Sequence, residues 1–230
     1  MSPSERDGQA WAGEPLPRGR HKLAREAVKA SQRERLLRAM EELVGEHGYE
    51  ATSVPQVVAA ARVSSNAFYG LFTDKADCFI ALCEEHGDQL FAALLAGGGP
   101  PASREEALAA LDRGIDVYLS WWRDRPRIAR AYFLELPAAG ARAIAERDRQ
   151  YERFAALHRA IGEGARAVEP GLAPLRDVDV TAAVIVITEL VAREIRAGRL
   201  ERLDELHGDL RHLLLKLLVG PPADWADAGA

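Results

Sequence analysis

The run TSVPQVVAAARVSSNAFYGLF, residues 52–72, decides the fold. Two short helical segments lie in it, separated by a tight turn. Ser53 followed by Gln56 forms a capping box, and Pro55 falls in the first turn, where a helix tolerates it. Val54, Val57, Val58 and Ala61 give this segment one apolar face. After Arg62 and Val63, Ser64 caps the second segment. Its Phe68 and Phe72, four apart, point back into a core, while Ser64, Ser65 and Asn66 stand exposed at its start. Tyr69 lies on the outer face, where its hydroxyl reaches a phosphate. This is the layout of a helix-turn-helix, whose second helix enters the major groove of DNA, ~12 Å wide.

The pattern stays helical outward from this run. From Ser31, apolar residues repeat at three- and four-residue steps through Leu36, Leu37, Met40, Leu43 and Val44, and the helix stops at Gly48. Thr73 and Asp74 cap a longer helix that Gly97–Gly99 with Pro100 and Pro101 ends. Ser103 with Glu106 opens another, interrupted at Pro126. Further helices are predicted from Ala138 to about Arg166, Asp177 to Ala197 and Leu200 to Val219. The Val184–Ile187 run has strand-like composition but sits in a breaker-free segment, so it reads as buried helix. The chain is therefore expected to be all-α. Its expected divisions are a flexible basic arm (1–30), a DNA-binding domain (31–77), a helical effector-binding and dimerisation domain (78–220) and a disordered tail (221–230).

Composition narrows the function. The chain has 230 residues, 48 % hydrophobic and 28 % charged, as in an ordinary soluble globular protein. Two cysteines, Cys78 and Cys83, exclude a disulfide framework and a cysteine-type zinc site. The longest apolar run is far short of the ~20 residues that span a bilayer, and the N-terminus lacks a signal peptide's apolar core, so a cytoplasmic location is expected and no membrane. None of the six histidines makes a metal motif with a neighbouring carboxylate. No phosphate loop or nucleophile elbow is present. Hence no enzyme, no metal and no cofactor are expected.

Charge is unevenly spread. The net charge is -5, yet residues 18–40 hold eight cations against two anions, net +6, leaving -11 elsewhere. Arg18, Arg20 and Lys22 belong to a short cationic piece that can enter the minor groove, where narrow A·T stretches attract arginine.

Arg35-Leu36-Leu37, Gly48-Tyr49, Thr52-Ser53-Val54, Val63-Ser64, Phe68-Tyr69 with Phe72, and Asp74-Lys75 stand in an order and spacing that resembles the DNA-binding domain of the TetR family of bacterial transcriptional regulators. The resemblance implies that Thr52 and Ser53 meet a phosphate at a helix N-terminus. It also implies that Ser64, Ser65, Asn66 and Ala67 begin the base-reading edge, and that Tyr69 and Lys75 contact phosphates. There are departures. Arg62 stands at a turn position that is usually Gly or Ala, and Ala67 replaces a usual small hydroxyl residue.

The same resemblance implies a two-fold dimer, a near-palindromic operator and an effector pocket among the middle helices. Two apolar stripes suit a four-helix dimer interface: Val184, Ile187, Val191 and Ile195 on one helix, and Leu206, Leu210, Leu213, Leu214 and Leu217 on the next. The pocket would take a largely apolar small molecule between Tyr118, Trp121, Trp122, Tyr132, Phe133, Tyr151 and Phe154. Candidate polar anchors are His86, Glu135, His158, Glu189 and Arg193. The expected function is a ligand-responsive DNA-binding regulator, more often a repressor in such a family. The alternative is a helical ligand-binding protein or enzyme with a vestigial helix-turn-helix.

Overall fold

The computed structural model describes residues 18–99 and 101–219. Among them every element is helical. The end expected to bind DNA comprises α1 (Arg18–His47), α2 (Val54–Ala61), α3 (Ser65–Tyr69) and the start of α4 (Lys75–Leu95). The body adds α5 (Arg104–Arg123), α6 (Pro126–Arg130), α7 (Ala141–Val168), α8 (Asp177–Arg196) and α9 (His207–Leu214). A π-helical turn (Ala131–Glu135) and a 3-10 turn (Leu136–Ala139) join α6 to α7. A 3-10 stretch (Leu200–Leu206) leads into α9, and a π-helical turn (Leu215–Val219) extends it.

One boundary needs correction. Residues 18–30, expected as part of a flexible arm, belong to α1. The breakers thin out after Gly19, and the following Arg, Lys, Leu, Ala and Glu residues favour helix strongly enough to carry it backwards. Residues 25–31 are all exposed, so this part of α1 projects from the body. The rest of the expected arm, residues 1–17, and the whole of the expected tail, residues 221–230, lie outside the described residues.

Two cores hold the molecule. The first packs α1–α4 around Phe68 and Phe79, both fully buried, and also takes in Ile128, Ala131, Leu136 and Ala143 from the body. The DNA-binding end is thus seated on the body through shared apolar contacts. The second core joins α5, α8 and α9.

That second core overturns the expected dimer face. Val184, Ile187, Val191, Ile195, Leu206, Leu210 and Leu214 are each at most 7 % exposed within a single chain. Leu213 and Leu217 are half-buried. The stripes face each other and α5, because one helix hairpin cannot leave so much apolar surface in water. The Val184–Ile187 run is helix, as expected, but its Ile185 is 52 % exposed, and so is Val178 at 61 %.

α4 and α7 run side by side in one direction. Three ion pairs share a sequence offset of 65: Asp77–Arg142 at 3.4 Å, Glu84–Arg149 at 3.5 Å and Asp88–Arg153 at 2.6 Å. A constant offset of that kind requires parallel helices in fixed register.

Candidate nucleic-acid interface and ligand cavity

The helix-turn-helix is built by local bonds. At the start of α2, Gln56 Oε1 accepts from the Ser53 amide at 2.8 Å and from its hydroxyl at 2.6 Å. At the start of α3, Ser64 Oγ accepts from the Ala67 amide at 3.2 Å. The turn between them bends at Arg62, the one non-glycine residue with positive φ among those described, at 51°. Arg35 Nη1 donates to the carbonyls of Ala61 and Arg62, both at 3.3 Å, which satisfies the end of α2. Phe68 anchors α3 from beneath and meets Phe72 and Tyr69 at ring distances of 5.6 and 5.3 Å. The outer edge of α3 is then Ser65, Asn66 and Tyr69, all exposed, with Ala67 half-buried beside them.

Two expected phosphate contacts are reassigned. Thr52 is 2 % exposed, and its hydroxyl donates to the Gly48 carbonyl at 2.8 Å. Lys75 Nζ donates to the carbonyls of Tyr49 and Thr52, each at 2.8 Å, and sits 4.0 Å over the Tyr49 ring. Both side chains are turned inward because the loop after α1 leaves carbonyls without intrahelical partners. Arg18, Arg20 and Lys22 lie on the first turns of α1, and their side chains fall outside the described residues.

The body grips this end at the same loop. Glu135 Oε2 accepts from the Tyr49 amide at 2.9 Å. Gly48, at φ +86°, precedes it, and a Cβ there would stand 3.0 Å from the Glu135 carboxylate. Only glycine combines that backbone with that approach.

At the other end, the body encloses a cavity of about 920 Å³. Its wall follows α5 from Arg104 to Trp122 and α7 from Tyr151 through its C-cap Glu169. Each of those stretches covers about 27 Å at 1.5 Å per residue. Of the expected pocket residues, Tyr118, Trp122, Tyr132, Tyr151, Phe154 and His158 line it, joined by Thr188. Burial pushes the Tyr118, Tyr132 and Tyr151 hydroxyls above the ordinary phenol range, so all three stay neutral. The cationic wall residues are Arg104 and Arg113, both exposed, and Arg104 pairs with Glu169 at 3.6 Å.

Six expected pocket residues lie elsewhere. His86 Nε2 meets Glu41 Oε2 at 3.3 Å, between α4 and α1. Trp121 is covered by the Arg125 guanidinium, 3.7 Å from its ring. Phe133 packs edge-on against Trp122 at 4.8 Å, outside the wall. Glu189 is exposed and pairs with Arg196, while Arg193 is exposed and pairs with Glu194 at 3.2 Å. Glu135 serves the DNA-binding end, as above. Conversely Val184, Ile187, Leu210 and Leu214, expected between subunits, line the cavity. The α5 segment around Leu108 and Leu111 and the hydroxyl of Thr188 carried little signal in the sequence, because apolar helix positions look alike whether they face core or cavity.

Residues 36–82 match the family model described as "Bacterial regulatory proteins, tetR family". The DNA-binding end thus carries the helix-turn-helix of that family. A curated relative, the transcriptional regulator AcuR of Cereibacter sphaeroides, is 42 % identical over 78 residues, which is 34 % of each chain. The matched stretch thus spans about a third of that relative's length. Among solved structures, a tetR-family regulatory protein from Rhodococcus RHA1 superposes with TM-score 0.63 at 22 % identity, covering 82 % of this chain and 97 % of that one. The transcriptional regulator FadR of Bacillus subtilis, solved in complex with stearoyl-CoA, gives TM-score 0.68 at 18 % identity, covering 78 % and 96 %. The fold of these solved structures therefore extends through the body, where identity is low. AcuR and FadR are both transcriptional regulators by name. Among the described residues no helix is long and apolar enough to cross a membrane.

Proposed function

We propose that this chain is a cytoplasmic, dimeric, sequence-specific DNA-binding repressor of the TetR family. A largely apolar small molecule in the cavity changes its grip on a near-palindromic operator. One observation carries this reading. The helix that follows the recognition segment, α4, is tied in register by three ion pairs to α7, a cavity wall. A molecule that moves α7 therefore moves the recognition helix, which is what a population shift between DNA-competent and DNA-incompetent states needs. FadR binding stearoyl-CoA within the same fold supports a ligand role for the cavity.

Ser65, Asn66 and Tyr69 would read and hold the major groove, with Ser53, Ser64 and Ala67 beside them. The projecting part of α1, with exposed Arg25 and Lys29, would add backbone contacts. The dimer would form through the outer faces of the last two helices, where Val178 and Ile185 are exposed about two turns apart and Leu213 and Leu217 are half-buried. Two such faces make a self-complementary two-fold interface.

The test is a mobility shift on the DNA upstream of the chain's own gene, with salt titration. Specific retardation as a dimer supports the reading, and removal of residues 1–22 is expected to weaken binding and flatten its salt slope. Failure to prefer that DNA over random duplex, or a monomer at micromolar concentration by light scattering, overturns it.

A further inference from the structure

His158 is 9 % exposed and forms part of the cavity wall. Its Nδ1 lies 2.7 Å from the carbonyl oxygen of Phe154, one turn back on α7. A carbonyl only accepts, so Nδ1 carries the proton and Nε2 keeps a lone pair. Burial holds the ring below the ordinary histidine range and keeps it neutral. Among the described residues, no group donates to Nε2. The ring's Nδ1 edge faces back onto its own helix, which leaves the opposite edge to the cavity. An acceptor that opens onto the cavity with no protein donor is left to accept from a donor on a ligand.

The shape of the cavity limits the molecule that supplies this donor. A volume of about 920 Å³ spread along walls of about 27 Å leaves a narrow channel. Charge limits it further. The arginines on the wall are exposed, whereas the tyrosines on the wall are neutral hydroxyls. An anion beside His158 would lose its hydration with no buried cation to replace it.

We propose that the cavity selects slender, uncharged, mostly apolar molecules carrying a hydroxyl or N–H group that donates to Nε2 of His158. This rests on the reading of the cavity as a ligand site and names the class of ligand.

The test is calorimetric titration of the full chain with three straight-chain probes: 1-decanol, decyl methyl ether and decanoate. Decanol is expected to bind about tenfold more tightly than the ether, the size of one net hydrogen bond. Decanoate is expected to bind more weakly than decanol. In His158→Leu the preference for decanol over the ether disappears, and retained ether binding shows that the variant is folded. In His158→Gln the side-chain carbonyl restores the preference. Equal binding of decanol and ether by the parent chain overturns the proposal. So does tightest binding of decanoate, a preference that survives His158→Leu, or no binding of any probe. Decanol binding that leaves the DNA shift unchanged would instead sink the regulatory reading and leave the role of His158 standing.

Discussion

Arg142, in the first turn of α7, donates to Asp74, the N-cap residue of α4, at 2.8 Å. Asp74 follows the recognition helix closely, and its other oxygen accepts from the Asp77 amide at 2.7 Å. The body thus holds the residue that sets where α4 begins, and with it the tilt of α3. Exposed ion pairs contribute little to stability, less than about 1 kcal/mol. Arg142→Ala is therefore expected to leave urea unfolding almost unchanged and to alter operator affinity several-fold. Parallel melts and fluorescence-anisotropy titrations check it, and an unaltered DNA affinity would count against the coupling.

Lys75 is expected to behave as a structural residue. It donates to two loop carbonyls and covers the Tyr49 ring. Lys75→Met should cost about 2 kcal/mol of unfolding free energy, the range for hydrogen bonds made by a charged group. Its salt slope for DNA binding should match the parent's. A stable variant whose slope falls by about one unit would restore the phosphate role that the family resemblance implies.

Arg62 holds a left-handed backbone, φ 51°, at the turn between α2 and α3. A side chain there costs roughly 1–2 kcal/mol relative to glycine, part of which glycine's unfolded-state freedom offsets. Arg62→Gly is expected to raise stability by up to about 1 kcal/mol, and Arg62→Val to lower it, since a β-branched side chain fits that region worst. Chemical denaturation decides. A destabilised glycine variant would mean that the guanidinium does more than the backbone reveals.

Asp74 and Glu41 should make the fold acid-sensitive. The Asp77 amide and then Arg142 hold the Asp74 carboxyl below the ordinary carboxylate range. The hydrogen bond from His86 does the same for Glu41. Folding therefore favours the charged forms. That contribution is complete above an unfolded pKa of about 4 and is lost as pH falls through the lower folded values. Asp74→Ala should be about 1 kcal/mol less stable than the parent at pH 7, the usual cost of an N-cap. The gap should narrow on acidification. A gap that stays constant down to pH 3 would show that the charge plays no part.

Much of the DNA-binding end was legible in residues 31–80, because caps, turns and aromatic spacing act over three or four residues. Ser53, Ser64 and Asp74 each start the helix that their chemistry predicts. The inward turn of Thr52 and Lys75 was not legible. It depends on carbonyls left free by the loop after α1, and those find their donors only once α4 packs beside it. In the body, periodicity marked which residues are apolar but not what each stripe faces. His158 and Tyr118 line the cavity while His86 and Trp121 do not, although all four sit on comparable helical patterns.

The sequence by itself therefore determined the all-α class, the helix-turn-helix and its outer edge of Ser65, Asn66 and Tyr69, since these rest on local backbone and side-chain chemistry. Tertiary structure alone decided that Val184, Ile187, Leu210 and Leu214 enclose a cavity within one chain. It alone decided, too, that α7 is locked to α4 in register. Both depend on which helix packs against which, and an amphipathic stripe specifies that it must be covered without specifying by what.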